Sequence, residues 1–148
     1  MYKAIYFDMD GTIADLYGVP NWLDYLCAEQ TKPYREARPL VEMRKLAKML
    51  NTLQAQGWKI GIISWLSKGG SDDYNERVAQ TKEKWLAKHL GSVHFDEIKI
   101  AKYGTPKQFL ADYAFGILFD DEQQNRDNWV GEAYDVHNIL QVLTAIIE

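Results

Sequence analysis

Short runs of β-forming residues alternate along this chain with longer stretches of helical periodicity, and that alternation limits the fold more than any other feature. Residues 2–7 form the first run, which stops at Asp8-Met9-Asp10-Gly11. Residues 59–64 (KIGIIS) predict a second strand, residues 93–100 a third, interrupted near Asp96, residues 114–119 a fourth and residues 133–136 a short fifth. Between the first two, Pro39 opens a helix in which Leu40, Met43, Leu46, Ala47, Leu50 and Leu53 recur at helical spacing, and Gly57 ends it. A second helix, capped by Asp72 or Asp73, runs to His89 and closes at Gly91. Thr105-Pro106 reads as the cap and first turn of a short helix. A polar helix reaches Trp129, and Asn138 caps an apolar helix ending at Ile147.

This order predicts one α/β domain over residues 1–148, a three-layer αβα sandwich with a central parallel sheet and right-handed crossovers. Residues 15–38 break the alternation. They hold two prolines and scattered aromatics, and read as an irregular insert with a short helix over residues 22–29.

Composition narrows the partners. With 47% hydrophobic and 26% charged residues, the chain of 148 residues can bury a core and is not disordered. A net charge of -4 gives no general pull on nucleic acids or anionic membranes, so neither is expected as a partner. A bound phosphate must be held by local groups. The single cysteine, Cys27, excludes an internal disulfide, suits a reducing compartment and reads as buried filler. The opening MYKAIYFDMDGT is too short and acidic for a signal peptide, and no stretch reaches the length of a membrane span, so a cytoplasmic protein is expected.

The strand ends carry the chemistry. In an open parallel sheet, ligands bind outside the carboxyl ends of the strands. Here those ends are Asp8-Met9-Asp10-Gly11-Thr12, Ser64 and Asp120-Asp121, and Lys107 lies just before the fourth strand, with Lys102 as its alternative and Lys99 nearby. Four carboxylates at one rim repel one another and call for a cation. Magnesium suits carboxylate, water and phosphate oxygens, which makes Asp8, Asp10, Asp120 and Asp121 the candidate metal residues.

FDMDGT at a strand end, Ser64 after the second strand, a downstream lysine and FDD after a later strand together resemble the haloacid dehalogenase superfamily. The resemblance implies a Rossmann-like core in which the fifth, fourth, first, second and third strands lie side by side, with residues 15–38 as a minimal cap. It implies a magnesium-dependent phosphatase acting on a phosphate monoester. Asp8 would be the nucleophile that forms an aspartyl-phosphate, and Asp10 the acid and base. Ser64 and Lys107 would act on the phosphoryl group, with Gly11, Thr12 and Trp65 beside the substrate. Magnesium would be held by Asp8, the carbonyl of Asp10 and Asp120, with Asp121 acting through water.

Within that superfamily, DMDGT followed by Ala14-Asp15, and LFDDEQQN with Asn125, are similar to the 5'(3')-deoxyribonucleotidase branch, which implies a small substrate such as a nucleotide. The stretch Trp65-Leu66-Ser67-Lys68 departs from that branch. Tyr17, Trp22, Tyr25 and Trp65 offer faces on which a base could stack, or pack the insert onto the core. Lys68 is either a contact for a second anionic group or a solvated loop residue. Other targets of the same chemistry are a phosphoprotein or the terminal phosphate of a nucleic acid, and a non-catalytic phosphate-binding module is the third reading. His89, His94 and His137 form no metal cluster; His89 sits at a helix C-terminus, which favours its charged form.

Overall fold

The computed structural model describes residues 3–148. Tyr2, the first residue of the expected opening strand, lies outside them. The central sheet has five strands: β1 (Ala4–Phe7), β4 (Lys59–Trp65), β5 (Glu97–Ala101), β6 (Ile117–Phe119) and β7 (Ala133–Tyr134). Their spatial order is β5-β4-β1-β6-β7, and every pairing is parallel. β1 is central and buried along its length, as its unbroken apolar sequence requires.

Alternation along the strands assigns the two faces. Ile5, Phe7, Ile60, Ile62, Ile117 and Phe119 point to one face. There they meet helices α3 (Met43–Ala55), α4 (Asp72–His89) and α6 (Ile139–Ile147), through Leu46, Leu50, Leu53, Trp85, Ile139 and Leu143. Ala4, Tyr6, Ile63 and Leu118 point to the other face and pack on Trp129. Among the described residues, that face carries a 3-10 turn (Lys107–Phe109) and the short helix α5 (Gln123–Asn128). Gly61 is required here, because an added Cβ would stand 2.7 Å from the Tyr6 ring. The Tyr6 hydroxyl donates to the buried Glu97 carboxylate and accepts from the backbone of Tyr113 at 3.1 Å. Glu97 also accepts from Asp112 at 3.0 Å, so the segment leaving the Lys107 turn is tied to the sheet.

The insert is more ordered than its sequence suggests. A two-residue ladder closes its base, β2 (Ala14–Asp15) against β3 (Arg38–Pro39). Between them lie α1 (Trp22–Cys27) and α2 (Lys32–Glu36). Its tip grips the start of α4: Glu29 accepts from Ser71 N at 2.8 Å and Ser71 Oγ at 2.9 Å, and Tyr74 donates to Gln30 O at 2.8 Å.

Several local expectations shift. Pro39 pairs with Ala14, so α3 begins at Met43, where Glu42 accepts from Lys45 N, and Leu40 is left exposed. Ser71, rather than Asp72 or Asp73, caps α4 by accepting from Tyr74 N; the two aspartates occupy the first turn, where the helix dipole favours them. β5 starts at Glu97 because the Asp96 carboxylate instead accepts from Ile60 N at 2.9 Å. β6 starts at Ile117, since Gly116 closes a turn onto Tyr113 O. Thr105 does not cap the Lys107 turn; its hydroxyl donates to Lys102 O at 2.7 Å. Cys27 is exposed, at the end of α1. Burial against Trp85, with Lys88 beside it, pushes the His89 pKa down, against the dipole effect expected from its position. Among the described residues, no helix is long and apolar enough to cross a membrane.

Tyr6→Phe removes one donor from buried Glu97 and one acceptor from Tyr113 N, and such losses cost about 1–3 kcal/mol. Urea unfolding of the variant is expected to show a loss in that range, with an unchanged slope.

Candidate active site

The register of β1 against β6 creates the site. Phe7 pairs with Phe119, so the next residues, Asp8 and Asp120, emerge side by side. Asp8 N also donates to Phe119 O at 2.9 Å. β4 runs further: Phe7 lies opposite Ile62, so Ser64 and Trp65 flank the turn after Asp8. That turn is tight, with Thr12, Ile13 and Ala14 all donating to Met9 O. Gly11 makes it possible, since it has a φ of 81°, and a Cβ there would collide with the Asp121 carboxylate.

Two buried lysines neutralise the acids from different sides. Lys107 Nζ lies 2.9 Å from Asp8 Oδ1 and 2.7 Å from Asp120 Oδ2. Lys102 is exposed. Lys82, on α4, lies 2.8 Å from Asp10 Oδ2, 2.7 Å from Ser64 Oγ and 2.6 Å from Trp65 O. Lys82 is not among the residues to which the sequence pointed. Its signal was positional: Tyr74, Val78, Lys82, Trp85 and Leu86 form the buried stripe of α4, and a lysine interrupts it.

Further groups fix the carboxylates. Thr12 Oγ1 lies 3.1 Å from Asp8 Oδ2 and 3.3 Å from Asp121 Oδ1, and its one hydrogen serves one of them at a time. The same oxygen accepts from Asp121 N at 3.2 Å. Asp120 accepts from Glu122 N at 2.9 Å and from Asn125 Nδ2 at 3.2 Å.

Electrostatics follow the crowding. Burial raises the Asp120 pKa to about 6 and the Asp121 pKa to about 8, and the Asp8 charge adds to both shifts. Burial also raises the Asp10 pKa, with Lys82 opposing; 17% of the Asp10 side chain remains open, but to the floor of a cavity. For Lys107 burial alone would lower the pKa, and Asp8 and Asp120 together outweigh it and hold it high.

Asp8, Asp120 and Asp121 each present an oxygen, all within 4.8 Å of one another. Three carboxylates around one ammonium leave excess negative charge, and hard oxygen donors so placed fit a magnesium ion. Asp121 belongs to this group directly. The Asp10 carboxylate does not, being turned to Lys82.

A cavity of about 490 Å³ opens above these groups. Asp8, Asp10, Asp120 and Lys107 line its floor, and Tyr17, Trp22 and Tyr34 of the insert line one wall. Trp65 lines another; its indole donates to Thr105 O at 2.8 Å, and its ring lies 5.2 Å from Lys107 Nζ. Lys68 reaches the rim beside Tyr103. Tyr25 is not among the lining residues and pairs with Lys32. Ser64 is fully buried behind the wall.

No family model matches the chain, and no curated protein matches it. Among solved structures, the fold is similar to that of a D,D-heptose 1,7-bisphosphate phosphatase from Burkholderia thailandensis, with a TM-score of 0.50 and 14% sequence identity over 84% of this chain and 70% of that one. At that identity the likeness shows the fold alone: a Rossmann-like α/β fold, with a five-stranded parallel sheet flanked by helices.

Raised carboxylate pKa values make the metal-free fold sensitive to pH. Folded Asp120 and Asp121 hold protons that the unfolded chain has released, so their contribution is complete below the ordinary value of 3.8 and is lost as pH rises through about 6 and about 8. The thermal midpoint of metal-free protein is expected to fall as pH rises from the ordinary value of 3.8 to about 8, more steeply below about 6 where both groups contribute, and magnesium to raise it more at the upper end. A midpoint indifferent to both would contradict a crowded carboxylate site.

Proposed function

We propose that this protein is a magnesium-dependent phosphatase that hydrolyses a small phosphate monoester through a phosphorylated Asp8. The observation that carries this reading is the meeting of Asp8, Asp10, Asp120, Asp121 and Lys107 on the floor of one cavity, at the carboxyl ends of adjacent parallel strands. The solved phosphatase of similar fold is consistent with it.

Magnesium bound by Asp8, the Asp10 carbonyl, Asp120 and Asp121 would neutralise charge on the phosphoryl oxygens. Lys107 neutralises Asp8 and would do the same for the transferring group. An Asp8 carboxylate oxygen forms the bond to phosphorus as the bond to the ester oxygen breaks, and the Asp10 proton passes to that departing oxygen. Asp10, now a carboxylate, then takes a proton from water. The water oxygen bonds to phosphorus, the bond to Asp8 breaks, and inorganic phosphate leaves with Asp8 restored. Burial, which raises the Asp10 pKa, suits a group that must hold a proton before the first step.

Ser64 belongs behind this machinery. Its Oγ accepts from Lys82 and it does not line the cavity, so the direct phosphoryl contact expected of it from the sequence is not made. Gly11 and Thr12 keep Asp121 and Asp8 in place.

The cavity limits the substrate. A space of about 490 Å³, roofed on one side by the insert, accommodates a small molecule better than a folded protein segment or a duplex end. Tyr17, Trp22 and Trp65 on its walls favour a leaving group with a flat apolar part, such as a nucleoside. In this reading the insert acts as a flap over a single hydrolase domain.

Phosphate release from nitrophenyl phosphate and from deoxyribonucleoside monophosphates tests the proposal. Magnesium should be required, and excess chelator should abolish release. Asp8→Asn should lower turnover roughly a thousandfold or more while leaving the circular dichroism spectrum unchanged. Undiminished release by that variant would defeat the assignment of Asp8.

A further inference from the structure

Lys82 has no place in the reaction as written above, yet it is held as closely as Lys107 is. It is fully buried, and the three hydrogens of its ammonium group match the three acceptors around it: Asp10 Oδ2, Ser64 Oγ and Trp65 O. The last two lie on β4, so the ammonium is fixed to the sheet before it meets Asp10. Its stem continues the apolar stripe of α4, and Tyr34 of the insert covers it with its ring centroid 5.1 Å from Nζ. An apolar residue would fill that stripe without the cost of burying a charge.

The geometry points to Lys82 as the positioning residue for proton transfer by Asp10, an inference that rests on the phosphatase reading. By capturing Oδ2, Lys82 fixes the rotation of the Asp10 carboxyl group, which lines the cavity, and leaves Oδ1 as the oxygen free to carry the proton. Lys82 does not line the cavity and acts only through Asp10 and Ser64. As a donor without lone pairs, it also obliges Ser64 Oγ to accept, which sets the direction of the serine hydrogen. Tyr34 links this arrangement to the insert, because the ring that shields the ammonium also lines the cavity.

A role in proton delivery has a signature that a purely structural role lacks. Departure of a basic leaving group needs the proton, whereas departure of nitrophenolate scarcely does. kcat/KM covers the steps up to leaving-group departure, so it isolates the first half-reaction. Phenyl phosphate and nitrophenyl phosphate have nearly the same shape and differ in leaving-group basicity.

The experiment compares wild type, Lys82→Met and Lys82→Gln on both esters with magnesium present, with circular dichroism as the check on folding. General acid catalysis contributes about 10²–10⁴-fold, so Lys82→Met is expected to lose about 100-fold or more in kcat/KM on phenyl phosphate and about 10-fold or less on nitrophenyl phosphate. Lys82→Gln, which retains a donor, should fall between wild type and Lys82→Met. Equal losses on the two esters would overturn the proposal and leave Lys82 a structural ion-pair partner. So would failure of both variants to fold. Absence of phosphate release by wild type from either ester would instead overturn the phosphatase reading, and the role of Lys82 with it.

Discussion

Repulsion among carboxylates is the constraint around which this fold is arranged. The parallel register of β1 and β6 places Asp8 beside Asp120, and the turns that follow bring Asp10 and Asp121 to the same floor. Lys107 bridges Asp8 and Asp120 from the thinly covered face of the sheet, and Lys82 reaches Asp10 from α4 on the thick face. Each lysine is buried, so each depends on its acids as much as they depend on it. Burial first, and the Asp8 charge after it, raise the pKa values of Asp120 and Asp121, and a divalent cation held among these carboxylates would relieve that charge.

The same arrangement organises structures far from the floor. Tyr6, Glu97 and the backbone of residues 112–113 hold the segment that follows Lys107. The ladder between β2 and β3 closes the insert at its base, while Glu29 and Gln30 dock it onto the start of α4. Because α4 also carries Lys82, the insert and the Asp10 pair share one support. The cavity therefore has a polar floor set by strand register and an apolar wall set by the insert.

Much of this was legible in the sequence, for local reasons. A run of β-formers that stops on an acid marks a strand end, and the strands after Phe7 and Phe119 do stop there. The order of strands followed from the resemblance to haloacid dehalogenases and matches the observed sheet. Non-local pairing hid the rest. Pro39 is a sound helix-opening residue, but Ala14, far back in the chain, recruits it into a ladder. Asp96 reads as a break within a strand; its carboxylate in fact caps the start of β4. Lys107 could be told from Lys102 only once the 3-10 turn aimed it inward. Lys82 lay within Thr81-Lys82-Glu83-Lys84, a charged run that looks solvated, and only its spacing from Tyr74 and Val78 set it apart.

The central claim is that Asp8, supported by Lys107 and a cation, accepts the phosphoryl group. Rapid acid quenching during turnover, followed by peptide mass spectrometry, tests it directly. The account predicts a phosphorylated peptide in which the added group maps to Asp8, formed only with magnesium and discharged as substrate runs out. A phosphoryl group carried by another residue, or turnover with no protein-bound phosphate at any quench time, would contradict it.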